Sequence, residues 1–170
     1  EHLISDEAPN GHTEIGSRTR IVVCAGGMED DARAFAVLGG EGSARWPAVA
    51  DDGAGNLLAV FEDCGQGTQG LDIGFCRSTD GGATWSGPEA LTAHSAGAFA
   101  PFPLALGRGG FLVFWSDGGG GVPRVRRARV QADGAVEDLG TLPGPAGRQG
   151  WPVAARGEGS RVVLAAVTGG

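Results

Sequence analysis

Side chains able to do chemistry fall at four places in the 170-residue chain. Arg45 stands as a permanent cation before Trp46-Pro47. Glu62 and Asp63 close an apolar stretch, and either could act as an acid if a pocket held it opposite a partner carboxylate. Their plainer reading is as loop carboxylates at the end of a strand. Arg124, Arg126, Arg127 and Arg129 crowd into RVRRARV and reach both faces of one predicted strand. Such a strand either pairs with acids such as Glu137 and Asp138 or offers a contact for an anion, an acidic glycan or an acidic partner. The fourth place, RSTDGGATWS at residues 77–86, sets Ser78, Asp80, Thr84 and Trp85 around Gly81 and Gly82.

Other constellations fail on spacing. GQGTQG, residues 65–70, fits a dinucleotide-loop pattern, but LDIGFCRSTDGG follows it and reads as a strand and hairpin instead of a phosphate-binding helix. DDGAGN, residues 51–56, has acids without the spacing of a calcium loop and reads as a hairpin turn. His2, His12 and His94 are scattered, and His94-Ser95 has no identifiable acid partner. Cys24, Cys64 and Cys76 match no zinc or haem spacing, so buried thiols on strands are expected. No metal and no cofactor is expected.

Composition narrows the classes further. A net charge of −7 argues against a general affinity for nucleic acid or anionic membrane. RVRRARV has no interleaved aromatics with which to stack bases. All 13 basic side chains are Arg, and Tyr is absent. No apolar run approaches the roughly 18 residues of a spanning helix. The sequence opens on Glu1, which leads us to expect a removed or preceding N-terminal segment, with a secretory signal as one candidate and an extracytoplasmic location.

The positioning elements are short strands. Residues 1–18 read as an extended arm or tail. After it, RIVVCA, RAFAVL, NLLAVF, LDIGFC, FLVFW, RVRRARV and RVVLAAV are separated by Gly, Asp or Pro clusters, and the chain's 33 Gly and 9 Pro favour many tight turns. Three segments superimpose, beginning at Arg45, Pro101 and Gly150, and aligning Pro47, Pro103 and Pro152 at spacings of 56 and 49 residues. A period near 50 with about four strands is the size of a propeller blade, which cannot bury both faces without neighbours. The expected organisation is all-β: residues 19–44 as outer strands of a blade, 45–93 as a blade, 97–142 as a second and 149–170 as the start of a third.

Ser78-Thr79-Asp80-Gly81-Gly82-Ala83-Thr84-Trp85 resembles the Asp-box, or bacterial neuraminidase repeat, S-x-D-x-G-x-T-W. The resemblance extends over residues 45–170, although the second repeat keeps only Asp133-Gly134 of its box. It implies a six-bladed, sialidase-like β-propeller of four-stranded antiparallel blades, about three of them present. It also implies a structural role for Ser78, Asp80, Gly82, Thr84 and Trp85, away from the catalytic pocket.

Sialidase chemistry, as the resemblance implies it, needs three clamp arginines, an acid/base Asp and a Tyr nucleophile activated by Glu. Arg45-Trp46-Pro47 matches the family's Arg-Ile-Pro element, which makes Arg45 a candidate first clamp. The second clamp position falls in AVFEDC, the acid/base slot falls on Gly67, and there is no Tyr. The expected function is therefore a non-catalytic interaction module for protein or glycan, which is either part of a longer chain or has its ring completed by a partner subunit or second copy. Its rival is part of an exo-sialidase or related glycoside hydrolase with further catalytic groups outside these residues.

Overall fold

Alternating apolar runs broken by glycine turns give a chain of antiparallel hairpins. The structure, a computed structural model, describes residues 21–25, 34–38, 44–63, 71–93, 97–119, 121–144 and 146–169. The expected arm, the GQGTQG loop with Gly67, Cys64 and all three histidines lie outside these residues. Strands β1 (Ile21–Ala25) and β2 (Ala34–Leu38) form a two-stranded antiparallel sheet. A four-stranded meander follows: β3 (Ala44–Asp51), β4 (Leu57–Asp63), β5 (Asp72–Ser78) and β6 (Glu89–Ala90). A second one comprises β7 (Ala98–Gly107), β8 (Gly110–Asp117), β9 (Arg124–Val130) and β10 (Val136–Thr141). Strands β11 (Arg148–Arg156) and β12 (Val162–Gly169) pair as a last two-stranded sheet. The fold is all-β, and no described residue is helical. Correspondingly, no helix among the described residues is long and apolar enough to cross a membrane.

Strand β4 is apolar on consecutive positions because both of its faces are covered. Leu58 and Val60 point with Ile73 and Phe75 toward the second meander, where they meet Ala98, Phe111, Val113, Trp115, Ala128 and Val130. The intervening residues Ala59 and Phe61 face the other way and pack with Ala44, Cys76 and the half-buried Trp85. Each large side chain removed from water in this way contributes about 1.5–3 kcal/mol. Successive sheets meet through their first strands: β7 packs on β3, β4 and β5, and β11 packs on β7, β8 and β9.

Those first strands share one irregularity. Pairing register shifts between Arg45 and Ala48, between Phe99 and Phe102, and between Gly150 and Val153. At each bulge a non-glycine residue takes a left-handed backbone, Trp46 at φ 51°, Ala100 at 52° and Trp151 at 49°. Proline follows each time, as Pro47, Pro101 and Pro152. This corrects the repeat alignment, since Pro101 and not Pro103 is the counterpart of Pro47. The physical reason is the missing N–H of proline, which suits an unpaired bulge position. Pro103 instead sits within the ladder, opposite Val113. The corrected spacings, 54 and 51 residues, are more regular than the 56 and 49 read from sequence.

Turn acids fasten neighbouring hairpins. Asp52 accepts the Ala54 and Asn56 backbone N–H groups and the Asn56 side-chain amide, and its Oδ2 also takes the Gly109 N–H at 2.9 Å. The β3–β4 turn thereby holds the β7–β8 turn of the next sheet. These donors, led by Ala54, then Asn56 and Gly109, hold the Asp52 pKa down at about 2.

Candidate functional site

The three proline bulges come from three different sheets and converge on one surface. Trp46, Pro47, Ala100, Pro101, Trp151 and Pro152 line a depression of about 280 Å³ together with Val153. Trp46 is 69% exposed and Trp151 57%, uncommon for indoles unless a surface is kept for contact. Trp151 also lies edge-on to Phe99, with ring centroids 5.6 Å apart. Bulges place these rings where regular strands would not, because the extra residue turns each side chain out of the alternating pattern.

Arg45 stands beside this depression, one residue before the first bulge. Its Nε donates to Glu62 Oε2 at 2.8 Å. The other carboxylate oxygen of Glu62 accepts the Ala100 N–H, also at 2.8 Å. The Glu62 side chain is only 4% exposed against 48% for Arg45. Both oxygens of Glu62 are thus occupied in joining two sheets, which makes it a brace for the bulge instead of a free acid. Ser116 repeats the arrangement one sheet later, its Oγ accepting the Trp151 N–H at 2.9 Å. Asp63 lies opposite Ala44 and Asp72 at the end of β4 and is itself engaged within the chain.

The RSTDGGATWS segment connects β5 to β6 and closes on itself. Ser78 Oγ donates to Asp80 Oδ1 and accepts the Gly82 N–H. Asp80 accepts the Thr84 hydroxyl at 2.6 Å and the Thr84 N–H at 2.9 Å. Gly81 and Gly82 take positive φ values, 72° and 92°, by which the Gly82 N–H turns inward to Ser78 while the Gly81 N–H donates outward to the Gly55 carbonyl at 2.9 Å. Trp85 then donates from Nε1 to the Gly82 carbonyl while its ring covers the cluster of Phe61 and Cys76. Thr84 foremost, followed by Ser78, holds the Asp80 pKa down at about 2. Every polar group named here is spent on the turn, away from the proline depression.

Arginines on β9 divide between the two faces of their sheet. Arg126 lies over Trp115 at 5.8 Å from the ring centroid and pairs with Asp117 and Asp138. Arg129 pairs with Glu137. Arg124 is opposite Asp117 at the start of the strand. Arg127 projects between β9 and the last sheet, into a cavity of about 520 Å³. The structure therefore gathers Arg45 and Glu62 at one place and disperses the β9 arginines elsewhere. Sequence reasoning missed Trp46 and Trp151 as surface aromatics, although Trp-Pro recurring at the start of two repeats was the available signal. No group of three or more His, Cys, Asp or Glu able to hold a metal occurs among the described residues.

No family model matches the chain, and no curated protein matches it. A solved structure, that of a protein of unknown function from Dyadobacter fermentans DSM 18053, aligns over 97% of this chain at a TM-score of 0.54 and 17% identity. The likeness is one of fold. The chain covers 48% of that protein, about half its length.

Proposed function

We propose that the chain is a non-catalytic, extracytoplasmic interaction module, built as part of an Asp-box β-propeller, that binds protein or glycan at the proline depression. The observation that carries this reading is the convergence of Trp46 and Trp151, both solvent-facing, on a floor of three prolines from three sheets. Exposed aromatic rings on a rigid scaffold give a large contact area at little conformational cost. The Asp-box assignment is supported by the closed hydrogen-bond set from Ser78 to Trp85.

One observation favours the sialidase-like hydrolase as a second reading: Arg45 is half-exposed at the margin of the depression. A titration with sialyllactose followed by tryptophan fluorescence, run beside turnover of a fluorogenic sialoside, separates the two. The module reading expects no turnover, with any fluorescence change lost in Trp46→Ala and Trp151→Ala. Turnover abolished by Arg45→Ala would reverse the order of the readings.

A further inference from the structure

The side chains of the proline depression can donate hydrogen bonds but cannot accept them. They are those of tryptophan, proline, alanine and valine, so their only polar atoms are two indole N–H groups. The neighbouring acid, Glu62, has one oxygen engaged by Arg45 and the other by the Ala100 N–H. A sugar presents hydroxyl protons that each need an acceptor, and no lining side chain supplies one. A proline-rich segment presents the matching set, with carbonyl oxygens that accept and no N–H at its prolines.

Shape and charge point the same way. Strand β7 packs between β3 and β11. The left-handed bulge position carries Trp46 on β3 and Trp151 on β11, but Ala100 on β7. Two indoles therefore flank a place where the repeat has a methyl group instead of a ring. Trp46, Pro47, Ala100 and Pro101, on one side of this slot, all belong to the two four-stranded meanders. At the margin, Arg45 uses its Nε on Glu62 and is half-exposed, with no acceptor for its terminal nitrogens among the described residues. A ligand carboxylate is the group that matches them best.

We propose that the depression binds a proline-rich segment of a partner protein in the polyproline II conformation, with one proline ring seated at Ala100 between the indoles. The indole N–H groups donate to carbonyls of the segment, and an Asp or Glu near that proline pairs with Arg45. Such a segment has no internal hydrogen bonds to break and is extended before it binds, so little order is lost on docking against aromatic rings. The inference rests on the interaction-module reading and narrows its ligand from protein or glycan to one class of peptide.

The test is fluorescence anisotropy on the 170-residue chain, using a labelled peptide of repeated Pro-Pro-Ala units with one internal Glu. Binding is expected, lost when the prolines are replaced by alanine and weakened about fivefold when the Glu is replaced by Lys. Arg45→Met should erase that Glu-over-Lys preference. Ala100→Trp, which places on β7 the residue already carried at this position on β3 and β11, should fill the slot and abolish binding. Trp46→Ala, at an exposed site, should weaken binding about tenfold and keeps the proposal open to test if Ala100→Trp does not fold. The proposal is overturned if the peptide does not bind, if its alanine version binds as well, if Glu and Lys peptides bind alike, or if Trp46→Ala leaves the affinity unchanged. Sialyllactose that binds where the peptide does not, or displaces it at equal concentration, overturns this inference and leaves the interaction-module reading standing. If neither binds, that reading falls with it.

Discussion

Glu62 of the first meander accepts the backbone N–H of Ala100 of the second at 2.8 Å, so a side chain in one sheet holds the bulge of the next. A carboxylate this buried cannot be removed quietly. Glu62→Ala leaves the Ala100 N–H without its acceptor and Arg45 without its anion, at an expected cost of about 2–4 kcal/mol. Arg45→Ala, at a half-exposed site, should cost less than about 1 kcal/mol. Urea unfolding of the two variants measures both, and equal costs would mean that the ion pair, not the amide contact, matters.

Ala100 carries a left-handed backbone without a side chain that explains it. Glycine relieves that conformation but adds freedom to the unfolded chain, and the first effect is the larger. Ala100→Gly should therefore raise stability by about 0.5 kcal/mol, whereas Ala105→Gly, elsewhere on β7, should lower it by roughly the same amount. A lower urea midpoint for Ala100→Gly would argue against strain at the bulge.

Acid should remove the stability that the Asp52 and Asp80 turns contribute. The pKa values of Asp52 and Asp80 are lowered from 3.8 to about 2, so their contribution is fully present above 3.8 and is lost as pH falls through about 2. The expected outcome is a urea midpoint with part of its decline between pH 4 and pH 2 that is absent in the double variant Asp52→Asn, Asp80→Asn. That variant should already be less stable at pH 7. An unchanged acid slope would show that other carboxylates govern it.

Gly74 lies opposite Phe61 in the β4–β5 ladder, and a Cβ there would come within 2.6 Å of the Phe61 ring. Phe61 is fully buried, so any shift of its ring displaces packed neighbours. Gly74→Ala should destabilise by about 1–3 kcal/mol through overpacking. Adding Phe61→Leu should recover part of that loss, so the double variant should be more stable than the sum of the single costs.

Much of the architecture was legible because strand periodicity and glycine turns are local. LLAVF, FLVFW and RVRRARV read as strands and are strands, and Asp63 ends β4 as expected. The hydrogen-bonding role of Ser78, Asp80 and Thr84 was equally local. What escaped depends on stacking one sheet on another. Nothing near Glu62 in sequence points to Ala100, 38 residues away, or near Asp52 to Gly109, 57 residues away. The choice of Pro103 over Pro101 failed because both flank Phe102, and only the ladder shows which one lacks a use for an N–H. Trp46 and Trp151 were passed over because a large apolar residue next to proline reads as core until its exposure is seen.

Cys76 sits on β5 with no solvent exposure, beneath Phe61 and the Trp85 ring. A thiol so enclosed is a clock for the fold: a maleimide can reach it only when the first meander parts from its lid. Peptide-level mass spectrometry can time that event separately from labelling at Cys24 or Cys64. The rate would then tell whether the Ser78–Trp85 turn opens alone or only when the whole chain lets go.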